Sequence, residues 1–236
     1  MMPRIVSVLL LVASTLPAHA VSAAPPAAVR AGYDVYRDGM QIITVQESFE
    51  KTGARYRISH ESTPAGLLAA FVRTHIKGQS TGAITAAGLQ PEQFEYGRLD
   101  DASKNVSAEF DWNAARLKLA FDGRNETIEL PKDTQDRVSL MYQFMFLAPA
   151  KLGDLSFHMT NGKKIERYRY QSAGDEEIST PLGKLKTLHL VKQRDSGENR
   201  VEVWLAPSHH YLPVKVLIIE NDGVRYEQVI RHVEFK

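Results

Sequence analysis

The chain has 236 residues, 43% of them apolar and 24% charged, an ordinary globular composition that excludes a disordered or low-complexity protein. Its 29 basic and 28 acidic residues leave a net charge of +1, which excludes the electrostatic footprint of a nucleic-acid binder and a broad basic surface for anionic lipid. It contains no cysteine, which excludes disulfides, thiol catalysis, iron–sulfur ligation, thiolate zinc sites and lipid attachment through a thiol.

The chain opens with a leader. Arg4 precedes a largely apolar run from Ile5 to Leu16, and Pro17-Ala18-His19-Ala20 follows. A basic start, an apolar segment of about a dozen residues and a small-x-small ending make a secretory signal peptide over residues 1–20, cleaved after Ala20, with Ser22-Ala23-Ala24 as a second site. The run is shorter than the roughly 20 apolar residues that span a bilayer. Arg4 is the only charged residue in the leader, so its removal takes the net charge from +1 to 0. The expected product is periplasmic, without a transmembrane segment, and not a lipoprotein because it has no Cys.

Residues 21–31, rich in Ala and Pro, read as an extended tether. One β-rich domain is expected over 32–236. Its signal is strand, turn, strand: Asp38-Gly39, Asp122-Gly123, Asn161-Gly162 and Asp222-Gly223 each sit between alternating segments, with Ser196-Gly197 a weaker case. Such dipeptides suit hairpins because the turn positions take φ > 0. The period of two runs through Tyr56 to Thr63, Val106 to Trp112, Arg116 to Phe121, Thr127 to Leu130, Leu185 to Lys192, Val201 to Leu205 and Leu212 to Ile218, and returns from Val224 to Phe235. The fold class this implies is mainly β: a large curled antiparallel meander, barrel or half-barrel, with one apolar helix packed on its concave side.

That helix is expected over Gln135 to Leu147, where Val138, Met141 and Met145 recur at helical spacing beside a row of Leu140, Phe144 and Leu147. Asp133 or Thr134 would cap it, Asp136 would lie in its first turn, and Pro149 would end it. The segment Gly66 to Ile76 is ambiguous between helix and strand, and its hairpin-like flanks favour strand.

Standard catalytic signatures are missing: no Gly-x-Ser-x-Gly, no His-Glu-x-x-His, no Walker loop, no Gly-x-Gly-x-x-Gly. Ser48 and Lys51 have Ser-x-x-Lys spacing, but residues three apart on a strand face opposite sides. His209-His210 reads as a turn between Pro207 and Pro213. Asp100-Asp101 and Asp175-Glu176-Glu177 read as solvated turns, and Asp136 as a cap or the partner of a base such as Arg137. The sequence therefore names no catalytic residue, metal or cofactor. Trp112, Trp204, Tyr142, Phe144 and Phe146, with Met141 and Met145, would fill a core or wall an apolar cavity. The candidate ligand-binding set is Val138, Met141, Tyr142, Phe144, Met145, Trp112 and Trp204.

Three segments carry a family resemblance: Tyr33-Asp34-Val35-Tyr36, the block Asp136-Arg137-Val138-Ser139-Leu140-Met141-Tyr142, and the tail Val203-Trp204-Leu205-Ala206 with Tyr211-Leu212-Pro213-Val214-Lys215. Together they resemble the bacterial exported family catalogued as domain of unknown function 3108, over about Tyr33 to Phe235. The resemblance implies an exported, mostly antiparallel β-protein and brings no activity or catalytic residues. The outline is also similar to periplasmic lipoprotein carriers, an analogy of architecture alone.

These readings favour a non-catalytic binding or carrier module for an apolar or amphipathic envelope ligand, with a lipid or amphipathic small molecule as partner. The alternatives are an envelope assembly factor that meets a protein partner through a sheet edge, and a hydrolase of envelope glycans or esters. An edge-binding protein should offer a long, unprotected edge strand. A hydrolase should bring a His and a carboxylate together in a polar pocket.

Overall fold

A computed structural model describes residues 25–147 and 151–236. The expected leader, residues 21–24 of the expected tether and Pro149 lie outside the described residues. In chain order the elements are β1 (Ala28–Arg37), β2 (Met40–Thr52), β3 (Arg55–Pro64), β4 (Ile76–Thr85), β5 (Gly88–Arg98), β6 (Val106–Asp111), β7 (Arg116–Phe121), β8 (Arg124–Glu129), β9 (Thr134–Asp136), α1 (Ser139–Gln143), β10 (Asp154–Thr160), β11 (Ile165–Thr180), β12 (Gly183–Lys192), β13 (Arg200–Ala206), β14 (Leu212–Ile219) and β15 (Arg225–Phe235).

Turn chemistry fixes the hairpins. Asp38 and Gly39 both take positive φ (49° and 83°) between β1 and β2, and Asp122 and Gly123 do the same (48° and 71°) between β7 and β8, as two-residue hairpin turns require. Asn161-Gly162 and Asp222-Gly223 serve longer turns, in which the Asn161 and Asp222 side chains accept from the backbone N–H two residues on. The strands form one 15-stranded sheet in the order β8-β7-β6-β5-β4-β3-β2-β1-β15-β14-β13-β12-β11-β10-β9. Every pairing is antiparallel except β9 with β10. The sheet curls without closing: its two edges, β8 and β9, are consecutive in sequence but not paired with each other.

Register lines up the core. Val29, Phe49, Ile58, Ser80, Phe94, Ala108 and Leu119 are cross-strand partners in one row from β1 to β7. All are at most 2% exposed. Facing this row, β9 and α1 fill the concave side. The Gln135 side chain donates to the Leu89 carbonyl at 2.8 Å, and Gln143 accepts from the Leu89 N–H at 2.7 Å. Tyr142 stacks on Phe49 with ring centroids 5.6 Å apart. A second core lies beyond α1, where Leu140 and Phe144 meet Phe157, Tyr170, Leu190, Val203 and Val216. Strand β13 is buried on both faces, Val203 and Leu205 in this second core and Trp204 and Ala206 in the first.

Four expectations need correction. The helix is shorter than Gln135–Leu147: α1 covers Ser139–Gln143, and a 3-10 turn over Phe144–Phe146 follows. Gln135 and Asp136 belong to β9, because Thr134–Asp136 pairs in parallel with His158–Thr160. Neither Asp133 nor Thr134 caps the helix; the Asp136 carboxylate accepts from the Val138 and Ser139 N–H groups, both at 2.8 Å. Gly66–His75 is not a strand, and only Ile76, the first residue of β4, is. A 3-10 turn spans Gly66–Ala70, entered at Gly66 with φ +57°, where a Cβ would lie 2.6 Å from the Gln41 carbonyl oxygen. Pairing also begins inside the expected tether: β1 starts at Ala28, and Val29 and Ala31 are buried.

Alternate connections of an antiparallel meander share an end. The β1–β2, β3–β4, β5–β6 and β7–β8 connections therefore stand on the same rim as the β10–β11, β12–β13 and β14–β15 turns. The exposed large apolar side chains Met40, Leu67, Phe71 and Leu99 all sit on this rim.

Candidate functional site

A cleft of about 620 Å³ opens between the start of α1 and strands β10–β14. Leu140, Met141, Met159, Tyr170, Val216 and Ile218 give it an apolar floor. Arg137, Lys164 and Lys192 stand around it with Glu166 and Glu198. Its volume lies within the roughly 300–1,000 Å³ of small-molecule sites, and charged and amide side chains share its lining with the apolar floor.

The polar groups are fixed locally. The Arg137 N–H donates to the Thr160 carbonyl at 3.1 Å. Its guanidinium carbon stands 4.3 Å from the centre of the Tyr96 ring. Gly78 makes room for that ring: a Cβ there would lie 2.6 Å from Tyr96 Cδ2. The Lys192 side chain is only 6% exposed; its ammonium pairs with Glu198 at 2.8 Å and lies 4.5 Å from the Tyr168 ring centre. Lys164 pairs with Glu166. Burial pushes the Tyr168 phenol up to about 12, helped by the charge of Glu166.

Beneath the mouth, Asp136 is fully buried. Ser80 Oγ donates to its Oδ2 at 2.5 Å, and Tyr56 and Ser80 share a hydrogen bond at 3.0 Å. Burial raises its carboxyl to about 6 against the opposing pull of its Ser80, Ser139 and Val138 hydrogen bonds. It anchors the start of α1 and so sets where Arg137 and Met141 stand.

Of the residues the sequence nominated, Met141 lines the cleft. Val138, Tyr142 and Met145 pack in the first core and Phe144 in the second. Trp112 is elsewhere, donating from Nε1 to the Pro91 carbonyl at 2.6 Å. Trp204 stacks on His189 with centroids 4.3 Å apart and donates to Glu176 at 2.7 Å. Sequence reasoning missed Lys164, Lys192, Tyr168 and Met159, and took Arg137 only as a partner for Asp136. The signal for Arg137 was its place between a capping carboxylate and an apolar helix.

Two hydrogen-bonded imidazole–carboxylate pairs form among the described residues: His60 with Glu47 at 2.8 Å and His189 with Glu202 at 2.7 Å. The first borders a polar hollow of about 560 Å³ with Ser48, Ser59 and Gln79. Among the described residues, neither ring is hydrogen-bonded to a hydroxyl that would serve as nucleophile. A larger hollow of about 1,280 Å³ along β5–β8 is open, and Tyr96, Leu99 and Phe121 line it together with Arg98, Lys104 and Asn125. Edge strand β8 is six residues long and carries Arg124, Glu126 and Glu129, the charge protection that native edges show. Among the described residues no group of three or more metal-ligating side chains forms, and no helix is long and apolar enough to cross a membrane.

A beta-barrel-like protein of the domain of unknown function DUF1849 from Brucella abortus is similar in fold. Its TM-score is 0.57 at 11% identity, over 91% of this chain and 100% of that one. A candidate lipoprotein from Parabacteroides distasonis gives TM-score 0.41 at 10% identity, over 89% of this chain and 97% of that one. A candidate exported protein with a YmcC-like fold from Bacteroides fragilis gives 0.39 at 12% identity, over 89% and 97%. No curated protein matches the chain. The profile of a family described as protein of unknown function (DUF3108) matches residues 32–229, nearly all of the β-sheet just described, and the chain belongs to that family.

Proposed function

We propose that the protein is an exported, periplasmic, non-catalytic binding or carrier module for an amphipathic ligand of the cell envelope. The observation that carries this reading is the cleft of about 620 Å³ with an apolar floor at the curled sheet's rim. Met141 and Met159 line it, and flexible thioethers adapt to variable apolar surfaces. Its mouth shares a rim with the exposed Leu67 and Phe71, 75% and 86% exposed, an apolar crown suited to exchanging a ligand with a membrane or partner. Export is supported by the basic residue and apolar run before Ala20. The charged, six-residue β8 edge weighs against strand addition as the main role.

Fluorescence titration with the neutral probe N-phenyl-1-naphthylamine tests this reading. The full chain should enhance emission saturably. Ile218→Trp, which fills the cleft from a half-buried β14 position, should weaken that binding at unchanged thermal stability. Probe binding that ignores Ile218→Trp, or no binding at all, would remove the proposal.

A further inference from the structure

We propose that the cleft takes a single-chain amphiphile with an anionic head: the chain lies on Leu140, Met141, Met159 and Val216, and Arg137 receives the head at the mouth. This deepens the binding reading above and rests on it.

Charge carries the argument. Lys192 and Lys164 are each matched by a carboxylate, Glu198 and Glu166. Arg137 has no carboxylate within 4.0 Å among the described residues. Three bases thus face two acids in the cleft, although the chain without its leader is neutral. Arg137 is exposed at the mouth, so it stays hydrated until a ligand arrives. Its backbone is pinned to Thr160 on one side and follows the Asp136 cap on the other. The ring of Tyr96 holds its guanidinium in place. A guanidinium held in this way offers a fixed fork of N–H donors to a carboxylate or phosphate, at little entropic cost.

Volume sets the number of chains. If a methylene takes nearly the liquid volume of a water, about 30 Å³, then 620 Å³ holds roughly 20 such units. That volume matches one acyl chain with its head.

The test is displacement of N-phenyl-1-naphthylamine from the full chain by dodecanoate and dodecyltrimethylammonium below their micelle concentrations and by 1-dodecanol below its solubility limit. Dodecanoate should displace the probe at roughly tenfold lower concentration than dodecanol, the scale of one charge-assisted hydrogen bond, and the cation should be weakest. Arg137→Gln should bring dodecanoate to the level of dodecanol and leave dodecanol unchanged. Arg116→Gln, an exposed β7 control far along the sheet from the cleft, should keep the full preference. Equal displacement by all three heads, or a preference that survives Arg137→Gln, overturns the head-group assignment and leaves the binding reading standing. A probe that never binds overturns both.

Discussion

Replacing Asp136 by Asn should remove a specific pH dependence of stability. In the folded protein burial lifts this carboxyl from 3.8 to about 6, despite hydrogen bonds from Ser80, Val138 and Ser139 that pull the other way. In the unfolded chain it titrates near its ordinary value. Between pH 4 and pH 6 the folded state therefore binds the proton more tightly, and stability falls as pH rises through that window. A shift of about 2 units at about 1.36 kcal/mol each gives roughly 3 kcal/mol, fully present below pH 4 and absent above pH 7. Asn keeps the acceptor for the Val138 and Ser139 N–H groups and cannot ionise. Exposed carboxylates with lowered values, Asp100, Asp101 and Asp122 among them, tilt stability the opposite way. They do so equally in both proteins, so the readout is the difference between them. Urea unfolding of wild type and Asp136→Asn at pH 4, 5, 6 and 7 measures it. The variant should gain on wild type by about 3 kcal/mol from pH 4 to 7. A constant difference, or one that moves against the variant as pH rises, would refute the claim that desolvation dominates at Asp136.

Other expectations follow from single contacts. Ser80→Ala leaves Asp136 Oδ2 and the Tyr56 hydroxyl without their partner and should cost about 1–3 kcal/mol by chemical denaturation. Phe144→Ala empties a site bounded edge-on by Phe157 and Tyr170 and should cost about 3–5 kcal/mol. Gly82→Ala would place a Cβ 2.1 Å from the Gln90 carbonyl oxygen, a backbone clash at the β4–β5 bulge that should lower the melting temperature well beyond any surface change. Phe71→Ser changes an 86% exposed side chain, so stability should move by less than about 0.5 kcal/mol while ligand transfer to vesicles slows. Unchanged transfer would detach the apolar crown from the function.

Local chemistry made much of the fold legible. Asp38-Gly39 and Asp122-Gly123 announced two hairpins because few other dipeptides tolerate two successive positive φ values. The row from Val29 to Leu119 follows from alternation once the register is set. The apolar row of Val138, Met141 and Met145, beside Leu140, Phe144 and Leu147, correctly placed a helix on the concave side. Its start was misread because Gln135 and Asp136 are drawn into β9 by Met159 and Thr160, partners 24 residues later in the chain, information that helical periodicity does not contain. Gly66–Ile76 carried strand-like neighbours, but Gly66 turns the chain into solvent and leaves Leu67 and Phe71 exposed. The cleft was the least legible feature. Arg137, Met159, Tyr168, Lys192 and Val216 come from separate elements, and only the closing register of β9 through β14 brings them together. Trp112 and Trp204, chosen for their aromatic bulk, satisfy their indole N–H groups elsewhere, on Pro91 and Glu176.

The most direct test of the central claim, a ligand-holding cleft between α1 and the far strands, is native mass spectrometry of the chain expressed from its full sequence and purified without detergent. The account predicts a sub-population heavier by one acyl amphiphile, lost in Val201→Trp, which fills the cleft from β13. A spectrum with the bare mass alone, or an adduct that persists in Val201→Trp, would contradict it.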